Sequence, residues 1–181
     1  MGSTMKPKVA FVTGGNGITG SAIIEHLAAN TSTEEWSQII VTSRSPFQTL
    51  VSDPRIKFIA LDFTKDAETL ATEMRENCHG VTHAFFSSYV HKDSFKELNS
   101  ANQALFENFL LALVKVAPDL ANVALQTGGK YYNVSSLCEQ SYWSGSLFGY
   151  CCDLSMVADH PLYRYTSVLC RPQLPKTLQD S

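Results

Sequence analysis

The sequence Thr13-Gly-Gly-Asn-Gly-Ile-Thr-Gly20 follows directly on the apolar run 9–12. It fits the spacing G-x-G-x-x-G when counted from Gly15, and the related spacing G-x-x-G-x-x-G when counted from Gly14. A buried strand that turns through glycines into a helix brings free N–H groups and the positive end of the helix dipole close to an anion. This geometry is typical of a site for a dinucleotide pyrophosphate.

Strand and helix signals alternate along the first 133 residues. Apolar and β-branched runs predict strands at 9–12, 38–42, 57–61, 81–88 and 122–126. Apolar residues at helical spacing predict helices at 18–29, from Asp66 to Asn77 or Gly80, and from Ser94 to Pro118. Strands that alternate with helices form a parallel sheet covered on both faces. The sequence therefore predicts a Rossmann-like, doubly wound α/β fold with the strand order 3-2-1-4-5.

The glycine-rich and polar loops all follow predicted strands, at 13–20, 43–45, 62–63, 87–89 and 126–131. Because parallel strands end at one edge of a sheet, these loops should meet where such folds bind ligands. We assign residues 1–133 to this nucleotide-binding domain. Residues 134–181 are rich in Ser, Tyr, Cys and Pro without a sustained period. They are expected to form an irregular C-terminal segment that is at most a remnant of a substrate-binding region, so the substrate domain is largely absent.

Composition and charge restrict the classes of function. The 181 residues carry a net charge of −3, with a pI near 5.9 that argues against nucleic-acid binding. No stretch approaches the roughly 18 apolar residues of a spanning helix. We therefore expect no membrane partner and, without a signal peptide, a cytoplasmic location. The five cysteines and five histidines show no metal-ligand spacing, and we assign no metal.

Arg44 follows the second predicted strand, where the adenosine ribose of a dinucleotide should lie. An acidic residue at this position accepts a hydrogen bond from the ribose 2′-hydroxyl, whereas an arginine pairs with a 2′-phosphate. Arg44, with a serine on either side, therefore favours NADPH over NADH. A solvated surface arginine is the alternative interpretation.

Two other loops at this edge of the predicted sheet carry groups that could bind the cofactor or act on a substrate. Asp62 can accept a hydrogen bond from the adenine amino group, and Phe63 can supply a backbone or ring contact, although a plain turn aspartate explains Asp62 as well. Lys130 can hydrogen-bond the nicotinamide ribose and stabilise a developing enolate or alkoxide oxygen, to which a nearby tyrosine can donate. A surface turn with long exposed side chains is the alternative there.

Together these motifs resemble those of atypical extended short-chain dehydrogenases/reductases, closest to the progesterone 5β-reductase/iridoid synthase-like (PRISE-like) enone reductases. The resemblance covers about residues 8–133, and its matching segments are 14–20, 43–45, 61–64, 82–89, 99–102 and, most specifically, Leu-Gln-Thr-Gly-Gly-Lys-Tyr-Tyr at 125–132. It implies reduction of an enone or enal with NADPH. The cofactor residues that it implies, together with the motif glycines, are Gly14, Asn16, Gly17, Ile18, Gly20, Arg44, Ser45, Asp62, Phe63, Ser88 and Gln126.

The resemblance also implies that Lys130 matches the catalytic lysine of the family. The catalytic tyrosine of the family lies some thirty residues beyond that lysine and is followed by a substrate-covering domain. Here Tyr150 lies only twenty positions beyond Lys130, and the sequence given ends at Ser181. Tyr150 is the candidate for the catalytic tyrosine, with chance similarity as the alternative. We expect a C-terminally truncated member of the family.

The leading hypothesis is thus an NADPH-dependent short-chain reductase. Its expected substrate is an enone or carbonyl of a small or terpenoid-like metabolite, in secondary metabolism. A homodimer is one option for its assembly. The competing hypotheses are a truncated, catalytically inactive homologue and an NADPH-binding sensor or regulatory protein.

Overall fold

The apolar run before the glycine turn forms the first strand of a parallel sheet. The computed structural model describes residues 6–47, 51–126 and the backbone of 166–169. The elements are β1 (Lys8–Thr13), α1 (Ile18–Asn30), β2 (Trp36–Ser43), β3 (Ile56–Ala60), α2 (Ala67–Cys78), β4 (His83–Phe86), α3 (Phe95–Val116), β5 (Asn122–Gln126) and β6 (Thr166–Leu169). None of the helices in these ranges combines the length and the apolar content needed to cross a bilayer.

The sheet has the order β3-β2-β1-β4-β5-β6, and every neighbouring pair is parallel. The predicted order of the first five strands is confirmed. The sixth strand extends the sheet beyond the prediction: β6 pairs with β5 from Val123 opposite Thr166 to Gln126 opposite Leu169. The segment 134–181 therefore contributes at least one regular strand, and its other residues lie outside the described part of the chain.

β4 is shorter than the predicted strand at 81–88. It ends at Phe86 because the next two backbone N–H groups leave the ladder. Both donate to the hydroxyl of Thr13, with the Ser87 nitrogen 2.9 Å and the Ser88 nitrogen 3.1 Å from Thr13 Oγ1. One buried side chain on β1 therefore terminates β4 and fixes the start of the loop that follows.

Alternating side chains of the central strands divide the core between the two faces of the sheet. Phe11 packs with α2 and α3 in a cluster that includes Leu70 and Phe109. Val12 packs on the opposite face with Ile24 of α1 and Val41 of β2. Asp66 caps α2 as predicted, since its carboxylate accepts hydrogen bonds from two backbone N–H groups of the first turn.

The connection between β2 and β3 has no helix in its described residues, 44–47 and 51–55. Phe47 packs against the core on the α1 face instead. Its ring stacks on that of Phe58 with centroids 6.0 Å apart. A single aromatic side chain thus covers the outer part of this face, next to the glycine turn.

A side chain does not fit at Gly14 or at Gly20 of the glycine turn. Gly14 has φ = 66°, and a Cβ atom there would lie 2.9 Å from the carbonyl oxygen of Ser87. A Cβ atom on Gly20 would overlap the carbonyl oxygen of Gly14. The close approach lets α1 begin directly behind β1, which is the packing role expected of the last motif glycine.

Arg55 holds the opposite end of α1. Its side chain is 7% exposed, and the guanidinium pairs with Asp53 at 2.7 Å. The guanidinium also donates to the carbonyl oxygens of Leu27 and Ala28 at 3.1 and 3.0 Å. These carbonyls belong to the last turns of the helix, where a cation is also favoured by the helix dipole. The same guanidinium lowers the pKa of the Asp53 carboxyl below its ordinary value of 3.8. The pair ties α1 to the start of β3.

We expect Arg55→Ala to lower the free energy of unfolding by about 3 kcal/mol, because it leaves a buried carboxylate and helix carbonyls without a partner. Chemical denaturation measures this change. The stabilisation from a carboxyl of lowered pKa is present above its unfolded pKa and is lost as pH falls through the folded pKa. The difference in stability between the wild type and Arg55→Ala should therefore shrink in strong acid.

Arg75→Ala, at an exposed arginine of α2, is the control and should cost less than about 1 kcal/mol. Equal losses for both variants would contradict the role of Arg55.

We expect Gly20→Ala to destabilise the protein by about 1–3 kcal/mol, because the added methyl group forces α1 away from the turn. The thermal unfolding midpoint is the measurement. Gly80→Ala is the matched control, since a Cβ atom there has its nearest neighbour at 4.0 Å. A Gly20 variant as stable as the Gly80 variant would show that the turn tolerates a side chain.

Candidate functional site

A cleft of about 340 Å³ lies at the carboxyl ends of β1 to β4. It opens where the chain connections leave the sheet in opposite directions, between β1 and β4. Its lining residues are Gly14, Asn16, Gly17, Ser43, Arg44, Ser45, Leu61, Asp62, Phe63, Ser87, Ser88, Tyr89, Val90 and Leu105. Loops that are far apart in sequence therefore converge on one site.

Most of the sequence-predicted cofactor residues line this cleft, and three do not. Ile18, the first residue of α1, is 91% exposed. Gly20 is buried inside the turn, and Gln126 is exposed at the end of β5. Both catalytic candidates, Lys130 and Tyr150, lie outside the described residues. The structure thus brings together the predicted groups from the ends of β1 to β4.

The N-terminus of α1 presents backbone donors to the cleft. Its N-cap residue is Gly17, no side chain caps the helix, and no acidic residue lies in its first turn. The first N–H groups of a helix have no partner within the helix, and its dipole favours an anion there. The glycine turn can therefore hold a phosphate group through the main chain.

Asn16 joins the glycine turn to the loop after β2. Its side-chain nitrogen Nδ2 lies 3.3 Å from Ser43 Oγ, 3.0 Å from Ser45 Oγ and 3.1 Å from the carbonyl oxygen of Pro46. Ser43 Oγ donates in turn to the carbonyl oxygen of Ser45. The loop that carries Arg44 is thus held against the turn by side-chain hydrogen bonds.

Arg44 is exposed between these two serines and lines the cleft. It forms no hydrogen bond or ion pair with another residue in the described ranges. A guanidinium offers five N–H donors in a planar fork that matches the oxygens of a phosphate. Arg44 and the neighbouring hydroxyl groups could therefore bind an anion at the end of β2.

Asp62 and Phe63 differ in what they offer to the cleft. Asp62 Oδ1 accepts hydrogen bonds from the backbone N–H and the hydroxyl of Thr64, at 3.1 and 2.9 Å. Its second oxygen is an acceptor suited to an amino group. The ring of Phe63 packs in the core against Phe86 and Phe109, and the residue is 4% exposed. Of the two contacts expected from Phe63, the backbone contact is therefore the one that the packing permits.

Two polar anchors of the site, Thr13 and Asn102, lie in recognised motifs but were not assigned this role from the sequence. Thr13 holds the first N–H groups of the loop after β4. Asn102 on α3 holds the same loop farther along, at Val90. Asn102 belongs to a segment that matches the family, but nothing in its spacing shows which backbone groups it binds.

The described residues offer neither a metal site nor a reactive cysteine. No group of three or more His, Cys, Asp or Glu side chains in these ranges could hold a metal ion. Cys78 is buried, and burial raises the pKa of its thiol to about 12. A thiol with this pKa stays protonated and is a poor nucleophile. The groups that line the cleft are mostly backbone donors, hydroxyls and one guanidinium, which are suited to binding an anion.

Comparison with known proteins agrees with this geometry. The family described as a PRISE-like Rossmann-fold domain matches residues 10–147. The short chain dehydrogenase gsfE of Penicillium aethiopicum is 60% identical over 128 residues, which cover 71% of this chain and 34% of that protein. The 3-oxo-Delta(4,5)-steroid 5-beta-reductase of Arabidopsis thaliana is 33% identical over 125 residues, covering 68% and 31%. The chain therefore spans about a third of the length of these curated relatives.

A solved structure also shares the fold. The short chain dehydrogenase of Burkholderia cenocepacia J2315, crystallised in complex with NADP, aligns with a TM-score of 0.64 at 14% sequence identity. The alignment covers 92% of this chain and 72% of that one. The family match takes in the whole cleft, from Gly14 to Leu105. This chain belongs to the PRISE-like Rossmann-fold family.

Proposed function

We propose that this chain is the cofactor-binding part of an NADPH-dependent short-chain dehydrogenase/reductase. The observation that carries the proposal is Arg44, exposed in the cleft between two serine hydroxyls at the end of β2. In this fold the adenosine ribose lies at that position, and an arginine accommodates a 2′-phosphate. The NADP in the related Burkholderia structure and the dehydrogenase and reductase names of the relatives support the same cofactor.

The residues of the cleft fit the parts of NADPH in order. The uncapped N-terminus of α1 and Gly17 would hold the pyrophosphate. Arg44 and Ser45 would hold the 2′-phosphate. Asp62 would accept from the adenine amino group, with the Phe63 backbone beside it. Ser88 would border the cofactor beyond β4. Ile18 and Gln126, which do not line the cleft, would contact the cofactor outside its edges. NADPH supplies a hydride when bound.

For the chemical step, we propose that Lys130 and a tyrosine, with Tyr150 the candidate, act on the oxygen of the substrate. The tyrosine hydroxyl donates a hydrogen bond to the carbonyl oxygen, and the lysine ammonium stabilises the negative charge that develops there. The substrate is an enone or carbonyl of a small or terpenoid-like metabolite. We propose that the reaction belongs to secondary metabolism. We further propose a cytoplasmic protein, with a homodimer as one assembly.

A second candidate function is an inactive homologue or an NADPH-binding sensor. The described residues of the cleft serve cofactor binding, and such a site can also belong to a protein that binds NADPH without reducing a substrate. Fluorescence titration with NADPH and NADH, followed by a panel of enones, separates the candidates. Cofactor oxidation supports the reductase, binding without oxidation supports the sensor, and the absence of binding supports the inactive homologue.

We expect Arg44→Ala to weaken NADPH binding roughly ten- to hundredfold, because a charge-assisted pair with the 2′-phosphate is lost. The affinity for NADH, which lacks that phosphate, should change by less than about threefold. Fluorescence titration with each cofactor measures the ratio. Arg75→Ala removes the same charge far from the cleft and should alter neither affinity. An equal loss for both cofactors in the Arg44 variant would refute the phosphate assignment.

We expect Lys130→Ala to lower the rate of cofactor oxidation with a reactive enone by at least about 100-fold, since the charge that stabilises the developing oxyanion is removed. Cofactor binding should be largely retained. Absorbance at the reduced nicotinamide band gives the rate, and titration gives the affinity. Lys65→Ala, which removes an exposed lysine paired with Glu73 on α2, is the control. An unchanged rate would show that Lys130 has no catalytic role.

A further inference from the structure

Phe47 occupies the space beside the glycine turn that a side chain at Gly15 would take. At Gly14 and Gly20 the obstacle to a Cβ atom is a backbone carbonyl group. At Gly15 the obstacles are side chains instead, since a Cβ atom there would overlap Cγ1 of Val41 and would lie 3.2 Å from both Cδ2 and Cε2 of Phe47. The absence of a side chain at Gly15 therefore lets the Phe47 ring rest directly on the turn.

The Phe47 ring also packs against β3, the outermost strand of the described sheet. Its centroid lies 6.0 Å from that of Phe58, and the two ring planes are 15° apart, which is a stacked arrangement. Phe47 is half-buried against the core cluster that contains Ile24 and Val41. The ring therefore joins three parts of the molecule, which are the glycine turn, the core on the α1 face and the outermost strand.

Phe47 is also the buried end of the loop that carries Arg44. Residues 44–46 are exposed, and Phe47 follows Arg44 by three positions. The carbonyl oxygen of Pro46 accepts a hydrogen bond from Asn16 Nδ2 at 3.1 Å. The loop is thus attached to the glycine turn by a polar contact at Pro46 and by ring packing at the next residue.

A fixed loop matters most for a ligand that Arg44 must hold. An arginine on a loose loop has to be ordered when it binds a phosphate, and that loss of conformational freedom weakens binding. A loop that is already fixed avoids this loss. Phe47 does not line the cleft, so its influence on a ligand passes through the loop and not through direct contact. Such an influence falls on ligands that carry a 2′-phosphate and spares those that lack one.

We propose that Phe47 is a positioning residue that sets the preference of this chain for NADPH over NADH. Its ring holds the Arg44 loop against the glycine turn before a cofactor binds. The inference rests on the proposed function, in which Arg44 binds the 2′-phosphate. It adds that the strength of this contact depends on an aromatic ring outside the cleft.

The first test is Phe47→Ala, with the affinities for NADPH and NADH measured by fluorescence titration. The affinity for NADPH should fall about five- to tenfold, whereas that for NADH should change by less than about twofold. Leu111→Ala is the control and should change neither affinity, because Leu111 on α3 is a partly exposed apolar residue that does not line the cleft. A Phe47→Ala protein with the wild-type ratio of the two affinities would overturn the proposal.

The second test combines Phe47→Ala with Arg44→Ala in a double-mutant cycle. In the Arg44→Ala background, the loss of the ring should change the affinity for NADPH by less than about twofold, because the loop no longer carries the group that binds the phosphate. A ring with only a general structural role would weaken NADPH and NADH binding alike in both backgrounds. The same fold-change in NADPH affinity with and without Arg44 would therefore contradict the proposal.

Two milder variants cover the case in which the alanine variant does not fold. Phe47→Tyr keeps the ring and should keep the ratio of the two affinities within about twofold of the wild type. Phe47→Leu keeps an apolar side chain but loses the flat ring that packs on Gly15 and Phe58, and it should lower that ratio about threefold. Equal ratios for the two variants would count against the proposal.

A readout without cofactor tests the position of the loop directly. Trypsin cleaves after arginine, and Arg44 is exposed, so the rate of cleavage between Arg44 and Ser45 reports how often the loop leaves its place. Mass spectrometry should show this cleavage at least about fivefold faster in Phe47→Ala than in the wild type or in Leu111→Ala.

The behaviour of the wild type separates this inference from the proposed function. If the wild type bound neither cofactor, or bound both equally well, the proposed function would fail, and with it the role of Phe47. If the wild type preferred NADPH and the Phe47→Ala protein retained both that preference and the wild-type cleavage rate, only the inference would fail.

Discussion

The close approach between Gly20 and the carbonyl oxygen of Gly14 is the constraint on which the site depends. It sets how soon α1 begins after β1, and so how near the helix N-terminus lies to the sheet edge. Any side chain at Gly20 would separate the two, because a Cβ atom would overlap that oxygen. This spacing places the uncapped N–H groups of α1 at the sheet edge, and the Asn16 bridge to Ser45 holds the loop that carries Arg44 beside them. The anion site is thus a consequence of backbone packing before it is one of side-chain chemistry.

The fold was largely predictable from sequence because its signals are local. The apolar run at 9–12, the glycine turn and the helical spacing of Leu105 and Phe109 each lie within one element, and the crossover rule then orders the strands. β6 was not assigned, because a four-residue strand in a segment without a period carries too little pattern. The predicted length of β4 was too great for another reason. The two backbone N–H groups that follow Phe86 donate to the hydroxyl of Thr13, which lies more than seventy residues earlier in the sequence.

The sequence predicted most of the residues that line the candidate site, but it did not predict the residues that hold its loops and helices in place. Glycines, an arginine after β2 and an aspartate after β3 have meanings fixed by position in this fold. Arg55 has no such meaning in sequence, since an arginine in a loop is an ordinary surface residue until its partners are known. Asn102 lies in the matching segment 99–102, but its position there does not show which backbone groups it binds. Their bonds to Leu27 and Val90 exist only in the folded chain. Phe47, which packs beside Phe58 in a connection without a helix in its described residues, likewise gains its role only in the folded chain.

The Thr13 hydroxyl, which accepts hydrogen bonds from two backbone N–H groups, has a consequence for the rate of ligand binding. The hydroxyl joins the end of β1 to the first residues after β4. These two strands are neighbours in the sheet and flank the cleft. A cleft held at this seam is already formed before any ligand arrives. Association should then be governed by diffusion and by the orientation of the ligand, with no slow rearrangement of these two strand ends. Differences in affinity among related ligands should accordingly reside in their residence times.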